Sequence, residues 1–273
     1  MSDHTASGVD LRLDRAHSAR IYDYFLGGKT NFLADRMAAG SVLGVFPAAL
    51  VAARINREFM HRATRFLTEA GIRQFLDIGT GIPTSPNLHE IAQSVAPDAR
   101  VVYTDNDPIV LAHAAALLQS TPEGRTAYVQ ADAHDPGGIM AAPPLLEALD
   151  LTRPVGLSLN ALMHFVTDDG RGRAHAIVDT LKDAVPSGST LAMTHATPDF
   201  APEAMRGIIE IYADAGTELQ FRSRTEFARF FDGWELLDPG ITLSHQWRPD
   251  RPEDATHVTD AEAACYAAIA RKP

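Results

Sequence analysis

RQFLDIGTGIPTSPN, residues 73–87, is the stretch on which the reading of the chain turns. Its first half is a short apolar run, the pattern of a buried strand, and it gives way after Asp77 and Ile78 to Gly79 and Gly81. Two glycines one residue apart let the backbone turn tightly and approach a ligand where a side chain would collide. A helix is predicted next, over residues 87–95. Strand, glycine turn and helix in that order open a parallel α/β sheet, whose ligands sit at the carboxyl ends of the strands.

Working toward the C-terminus, VVYTDND (101–107) is a second strand ending in Asp105, and AYVQAD (127–132) is a third ending in Asp132. A carboxylate at Asp105 can accept hydrogen bonds from both hydroxyls of a ribose. Asp132 is placed to take an adenine amine, and the N–H of Ala133 to meet a ring nitrogen. Further strands are predicted at 155–159, 190–195, 234–237 and 265–271, with helices near 109–118, 174–184, 202–215 and 224–231. Ser223 and Glu226 form a capping box before the last of these helices, and 168–173 is a polar, glycine-bearing loop.

Toward the N-terminus the rhythm is helical. Residues 1–15 form a polar tail, Ser18 caps a short helix that Gly27-Gly28 ends, and residues 34–71 are helical with a break near Pro47. Arg54, Arg57, Arg62 and Arg65 are expected on a solvated face. This gives a helical extension over 1–70 and a Rossmann-like domain over 71–273, with a helical insertion at about 200–232.

The glycine turn by itself suits a dinucleotide or another adenosine-bearing cofactor. In the dinucleotide pattern a third glycine starts a helix facing the pyrophosphate; here Thr84 takes that place, and Pro83 and Pro86 remove two N–H donors. A ligand without phosphates fits better. S-adenosylmethionine has none, and its sulfonium and ammonium give Asp77 a cation to meet. An NAD-dependent oxidoreductase is thereby disfavoured.

The series FLDIGTG, VVYTDND, AYVQAD resembles the motif order of class I S-adenosylmethionine-dependent methyltransferases. More narrowly, SARIYDYFLGGKTNF (18–32), RQFLDIGTGIPTSPN and VVYTDNDPIVLAHAAALL (101–118) resemble an S-adenosyl methyltransferase family first catalogued as a domain of unknown function. The resemblance implies a seven-stranded sheet whose last strand, over 265–271, runs antiparallel. It assigns Asp77, Gly79 and Gly81 to the methionine end of the cofactor, Asp105 and Asn106 to the ribose, and Asp132 with Ala133 to adenine. It names no methyl acceptor.

Asn160 and His164 follow the fourth strand, beside the expected position of the methyl group, and His195 ends the fifth; His164 is the first candidate to receive a proton and His195 the second. Tyr22, Tyr24, Lys29 and Asn31 read as a lid over the cofactor, with Tyr22 and Asn31 touching it. Phe200, Met205 and Tyr212 lie where an insertion could touch an acceptor. No metal-ligand spacing is present, so no metal is expected.

A net charge of −11 disfavours nucleic acid as a partner. The longest apolar run, 12 residues over 42–53 and broken by Gly44 and Pro47, is too short for a membrane span. A single cysteine and a polar start without a secretion signal point to the cytoplasm. The expectation is direct in-line transfer of a methyl group to a small-molecule acceptor. A non-catalytic S-adenosylmethionine-binding sensor would keep the same aspartates; the pattern does not read out the oligomeric state.

Overall fold

Strands buried on both faces need apolar side chains on both sides, and the central strands have them. In the computed structural model, which describes residues 13–273 apart from 118, 169 and 171 and no side chain at 111 or 114–117, they assemble into one mixed eight-stranded sheet. The element order is α1 (Ser18–Phe25), α2 (Leu33–Val45), α3 (Ala49–Glu69), β1 (Gln74–Ile78), α4 (Leu88–Val95), β2 (Arg100–Asp105), α5 (Pro108–Leu117) and β3 (Arg125–Gln130). Then come α6 (Pro136–Met140), α7 (Pro143–Ala148), β4 (Gly156–Leu159), α8 (Arg173–Asp183), β5 (Thr190–Ala196), α9 (Pro202–Asp214) and α10 (Arg224–Ala228). The chain ends with β6 (Glu235–Leu236), β7 (Thr242–Leu243), α11 (Asp260–Ala263) and β8 (Cys265–Arg271).

The sheet order is β3-β2-β1-β4-β5-β8-β6, with β7 also pairing β8. β1 to β5 are mutually parallel, and β8 runs antiparallel to β5, β6 and β7. β1 lies between β2 and β4, so the chain reverses direction across the sheet there and the loops after β1 and β4 diverge to leave a crevice. The fold is Rossmann-like as expected, with one strand more than the seven anticipated. The addition, β7, pairs only Thr242 and Leu243 with Ala267 and Tyr266, too short to leave a periodic signature. β6 is likewise two residues where four were expected.

One face of the sheet is covered by α3 and α4, where Phe59, Ala63, Leu67 and Trp247 meet Phe75 and Tyr103. The other is covered by α6 to α8 and the α10 region, through Ile139, Leu145, Ile177, Phe227 and Phe230. A third cluster joins Ile21, Val42 and Phe46 of the N-terminal segment to Met205, Ile208 and Tyr212 of α9. The extension therefore packs into the sheet domain.

Local details depart from the sequence reading at three points. His17, in extended backbone, caps α1, and Ser18 is its first helical residue. Arg62 is buried: its Nε donates to the Trp247 carbonyl at 3.0 Å and its Nη2 to the Ser244 carbonyl at 2.7 Å, so irregular C-terminal backbone claims a side chain expected in solvent. Arg57 donates to the carbonyls of Thr84 and Pro86 and clamps the loop after β1 to α3. The expected box at Ser223 and Glu226 is present, with Ser223 N–H donating to Glu226 Oε2 at 2.8 Å. Residues 1–12 of the expected tail, and residue 118 of the expected helix, lie outside the described residues.

Candidate active site

The loops at the carboxyl edge meet the N-terminal helices around a cavity of about 570 Å³. One wall consists of strand ends. Asp77, Gly79 and Gly81 come from the loop after β1, Asp105 and Asn106 from the end of β2, Asp132 and Ala133 from the end of β3, and Asn160 from the end of β4. Gly79 and Gly81 have φ of +72° and +69°, which a side chain strains against, and a Cβ on Gly79 would stand 2.6 Å from Leu162 Cδ1. The turn is locked from below, because Gly81 N–H donates to Asp105 Oδ2 at 2.8 Å and Gly79 N–H to the Thr104 carbonyl at 2.8 Å.

The carboxylates differ in setting. Asp105 is buried and also accepts from Asp107 N–H at 2.9 Å; loss of water raises its pKa. Asp77 is raised for the same reason, against the pull of hydroxyls from Ser158 (2.6 Å) and Thr80 (3.2 Å). For exposed Asp132, loss of water pushes the pKa up, but the His134 N–H and ring hydrogen bonds with the nearby His134 charge together outweigh it and hold the carboxyl below the usual range.

The other wall is helical. Tyr22 and Phe25 of α1, Val42 and Phe46 from α2 and its end, and Met205, Ile208 and Tyr212 of α9 face the same cavity. A chain of hydrogen bonds ties the walls together. The Tyr22 hydroxyl donates to the Ala53 carbonyl at 2.9 Å and accepts from Asn56 Nδ2 at 2.7 Å. Thr194 Oγ1 donates to Asn56 Oδ1 at 2.6 Å and accepts from Ala161 N–H at 2.8 Å. Ala161, next to Asn160, holds a left-handed φ of 52°.

A sequence profile described as "S-adenosyl methyltransferase" matches residues 4–273. The chain belongs to this family. A DUF574 family protein of Streptomyces avermitilis MA-4680 is 52% identical, with a TM-score of 0.93 over 97% of this chain and 100% of that one. A protein of Thermobifida fusca YX, provisionally assigned as a methyltransferase, is 39% identical, with a TM-score of 0.88 over 96% and 97%. The plantazolicin methyltransferase BpumL, solved with SAH, shares the fold at 10% identity and a TM-score of 0.52 over 93% and 95%. No curated protein matches the chain. The protein is thus an S-adenosylmethionine-dependent methyltransferase, with S-adenosylmethionine as its cofactor.

The strand-end wall of the methyltransferase fits that cofactor. Asn160 Nδ2 donates to Ser158 Oγ at 2.9 Å, and Asn160 Oδ1 is buried without a partner among the described residues. Beside Asp77 this leaves acceptor atoms suited to an ammonium group. Arg57, which lines the cavity, is spent on the Thr84 and Pro86 carbonyls, so the loop offers a cation acceptors and a phosphate little.

Two expected site residues lie elsewhere. Asn31 is buried inside the N-terminal segment, where its Nδ2 donates to Asp23 Oδ2 at 2.8 Å and its Oδ1 accepts from Arg36 at 3.2 Å. It does not line the cavity, and Lys29 is exposed. His195 is fully buried beneath the cavity floor: Arg222 Nη1 donates to its Nε2 at 3.0 Å, which leaves the proton on Nδ1, 2.7 Å from the Ala196 carbonyl. Burial, reinforced by His164 and Arg222, pushes its pKa well down. Phe200 packs against Tyr266 instead of the cavity.

His164 does line the cavity. Its Nδ1 is buried without a partner among the described residues, and burial with the nearby Arg222 charge pulls its pKa down to about 3. Sequence reading missed three contributors. His17 lines the cavity and approaches Asp107 at 3.2 Å, Asn56 links the walls, and buried Arg222 binds Asp168 (2.8 Å), His195 and the carbonyls of Met163 and Val166. Only a DND run at 105–107 hinted at Asp107; nothing in the sequence marked Asn56 or Arg222. Among the described residues no group of three His, Cys, Asp or Glu converges as a metal set, and no single helix is long and apolar enough to cross a membrane.

Proposed function

We propose that this methyltransferase acts on a small-molecule acceptor by direct in-line transfer, with the strand-end wall holding the cofactor and the helical wall the acceptor. Asp77 and Asn160 take the methionine ammonium, and Gly79 and Gly81 admit its backbone-close end. Asp105 and Asn106 hold the ribose hydroxyls, and Asp132 with the Ala133 N–H reads adenine. Tyr22, hydrogen-bonded into the sheet edge through Asn56 and Thr194, belongs to a lid formed by the N-terminal helices over residues 18–69. Three strand-end aspartates lining one cavity with the glycine turn, while the cavity-lining Arg57 is held by backbone carbonyls, carry this reading.

When bound, S-adenosylmethionine supplies a methyl group on a sulfonium, so that the acceptor's lone pair forms the new bond as the carbon–sulfur bond breaks and its electron pair returns to sulfur. The chain's own contribution is alignment and exclusion of water. The acceptor's N–H or O–H must still lose a proton. His164, neutral at physiological pH, is too weak a base to hold that proton; it orients the nucleophile through a hydrogen bond, and the proton goes to bulk solvent as the product leaves.

Thermal unfolding with S-adenosylmethionine, SAH, NAD or no ligand tests the cofactor half. Either adenosyl-sulfur ligand at ~100 times its Kd stabilises by about 2.7 kcal/mol, a rise of a few degrees. Asp105→Asn removes most of that rise and Asp132→Ala part of it. Stabilisation by NAD alone, or a full rise in both variants, would falsify the assignment of these residues.

A further inference from the structure

The helical wall constrains the chemistry of the acceptor. Phe25, Phe46, Phe165, Met205, Ile208 and Tyr212 line it, and all but Phe25 and Phe165 are buried. The charged side chains at this end, Arg173 and Glu218, are exposed at its rim, and Glu218 already accepts from the Thr167 hydroxyl at 2.9 Å. Two polar groups are left over on the wall itself. His164 Nδ1 and the Tyr212 hydroxyl make no hydrogen bond among the described residues. Both stand in an aromatic setting, with the Phe165 ring 4.5 Å from that of His164 and 6.0 Å from that of Tyr212.

We propose that this half of the cavity is a subsite for an uncharged, largely apolar acceptor that carries an aromatic ring and one N–H or O–H within reach of His164 or Tyr212. The proposal rests on the methyltransferase reading above and adds the substrate class to it. A carboxylate or phosphate placed inside this half would lose its water and, among the described residues, reach a free cation only at the exposed rim, at Arg173, because Arg57 is held by the Thr84 and Pro86 carbonyls. A cationic acceptor would find its carboxylates on the opposite wall, at Asp77, Asp105 and Asp132, where the cofactor belongs. A flat ring gains both burial and edge or offset contacts with Phe165 and Tyr212. Its single polar group can meet the Tyr212 hydroxyl or answer His164 Nδ1, which is buried and otherwise remains a standing cost.

A matched pair of fluorescent probes tests this. N-phenyl-1-naphthylamine is neutral, and 8-anilinonaphthalene-1-sulfonate carries the same rings with a sulfonate. With SAH saturating, the neutral probe is expected to give a saturable signal and to bind at least about tenfold more tightly than the sulfonate, since the buried interior of the site offers the anion no partner. Ile208→Asp is expected to weaken the neutral probe by about tenfold or more, with SAH affinity, measured by calorimetry, kept within about twofold. Should Ile208→Asp not fold, Met205→Trp fills the chamber and is read in the same way. Equal binding of the sulfonate, no signal from the neutral probe, or a signal that survives the folded variant overturns the proposal while SAH still binds. If SAH does not bind the wild-type protein, the cofactor reading falls first and takes the acceptor class with it.

Discussion

The two walls of the cavity are built by different logics. In the strand-end wall the side chains are positioned by neighbouring strand ends and the turns that leave them: Asp105 is fixed by backbone N–H groups of Gly81 and Asp107, Asp77 by the hydroxyls of Thr80 and Ser158, and Asp132 by His134 two residues on. In the helical wall, Tyr22 of α1, Phe46 after α2 and Ile208 of α9 meet only because three helices pack together, and the hydrogen bonds behind them span up to 138 residues of chain. A wall held by the edge of the sheet tolerates damage to the helices, whereas a wall held by helix packing shares the fate of that packing. Substitutions at the joints between the walls should therefore separate them.

The largest effect is expected at Arg222. It holds the turn after β4, which carries Leu162, His164 and Phe165 into the cavity, by donating to the Met163 and Val166 carbonyls, while its charge pairs with Asp168. Arg222→Met keeps much of the volume but strands Asp168 and two carbonyls. Loss of one partner from a buried pair costs about 3–5 kcal/mol, which urea unfolding should report. A change below about 1 kcal/mol would mean that the turn is held by its apolar contacts alone.

The same contrast explains what could be read in advance. The three aspartates were legible because each strand end is its own signal, an apolar run closing in a carboxylate before a turn. Six of the seven expected strands were placed nearly to the residue for the same reason, and the last, β6, survived in shortened form. His195 shows the limit: a histidine at a strand end looks available until Arg222, 27 residues later, is seen donating to it. Asn31 failed similarly, since a polar tip beside two glycines gives no sign of a buried Asp23 waiting for its amide. Arg62 was misplaced because helical periodicity cannot know that the 244–247 backbone needs donors.

His164 provides a smaller effect and a pH signature. In the unfolded chain its pKa is near the ordinary 6.5; burial and Arg222 bring it to about 3 when folded. The unfolded state then binds the extra proton between those values, so this group's contribution to stability is intact above about pH 6.5 and is lost as the pH falls toward 3. The loss reaches at most about 2 kcal/mol at pH 5. His195 shifts in the same direction, so His164→Gln should make the acid slope shallower without flattening it. An unchanged slope would show that water in the cavity already solvates the ring.

The smallest effect is the most discriminating. Tyr22→Phe removes one hydroxyl, leaving the ring in place and Asn56 Nδ2 and the Ala53 carbonyl without their partner. The expected cost is about 1 kcal/mol, seen as a fall in Tm of a few degrees. Because the chain of bonds continues through Thr194 to the Ala161 N–H, beside Asn160, the loss should also reach the strand-end wall and weaken SAH binding measurably, although Tyr22 gives up no apolar contact. Asn56→Ala should then add little to Tyr22→Phe, since both cut the same chain, and a double-mutant cycle would show coupling of about 0.5 kcal/mol or more. Additive losses with unchanged SAH affinity would mean that the helices cover the site without being wired into it, and the lid would be a roof and nothing more.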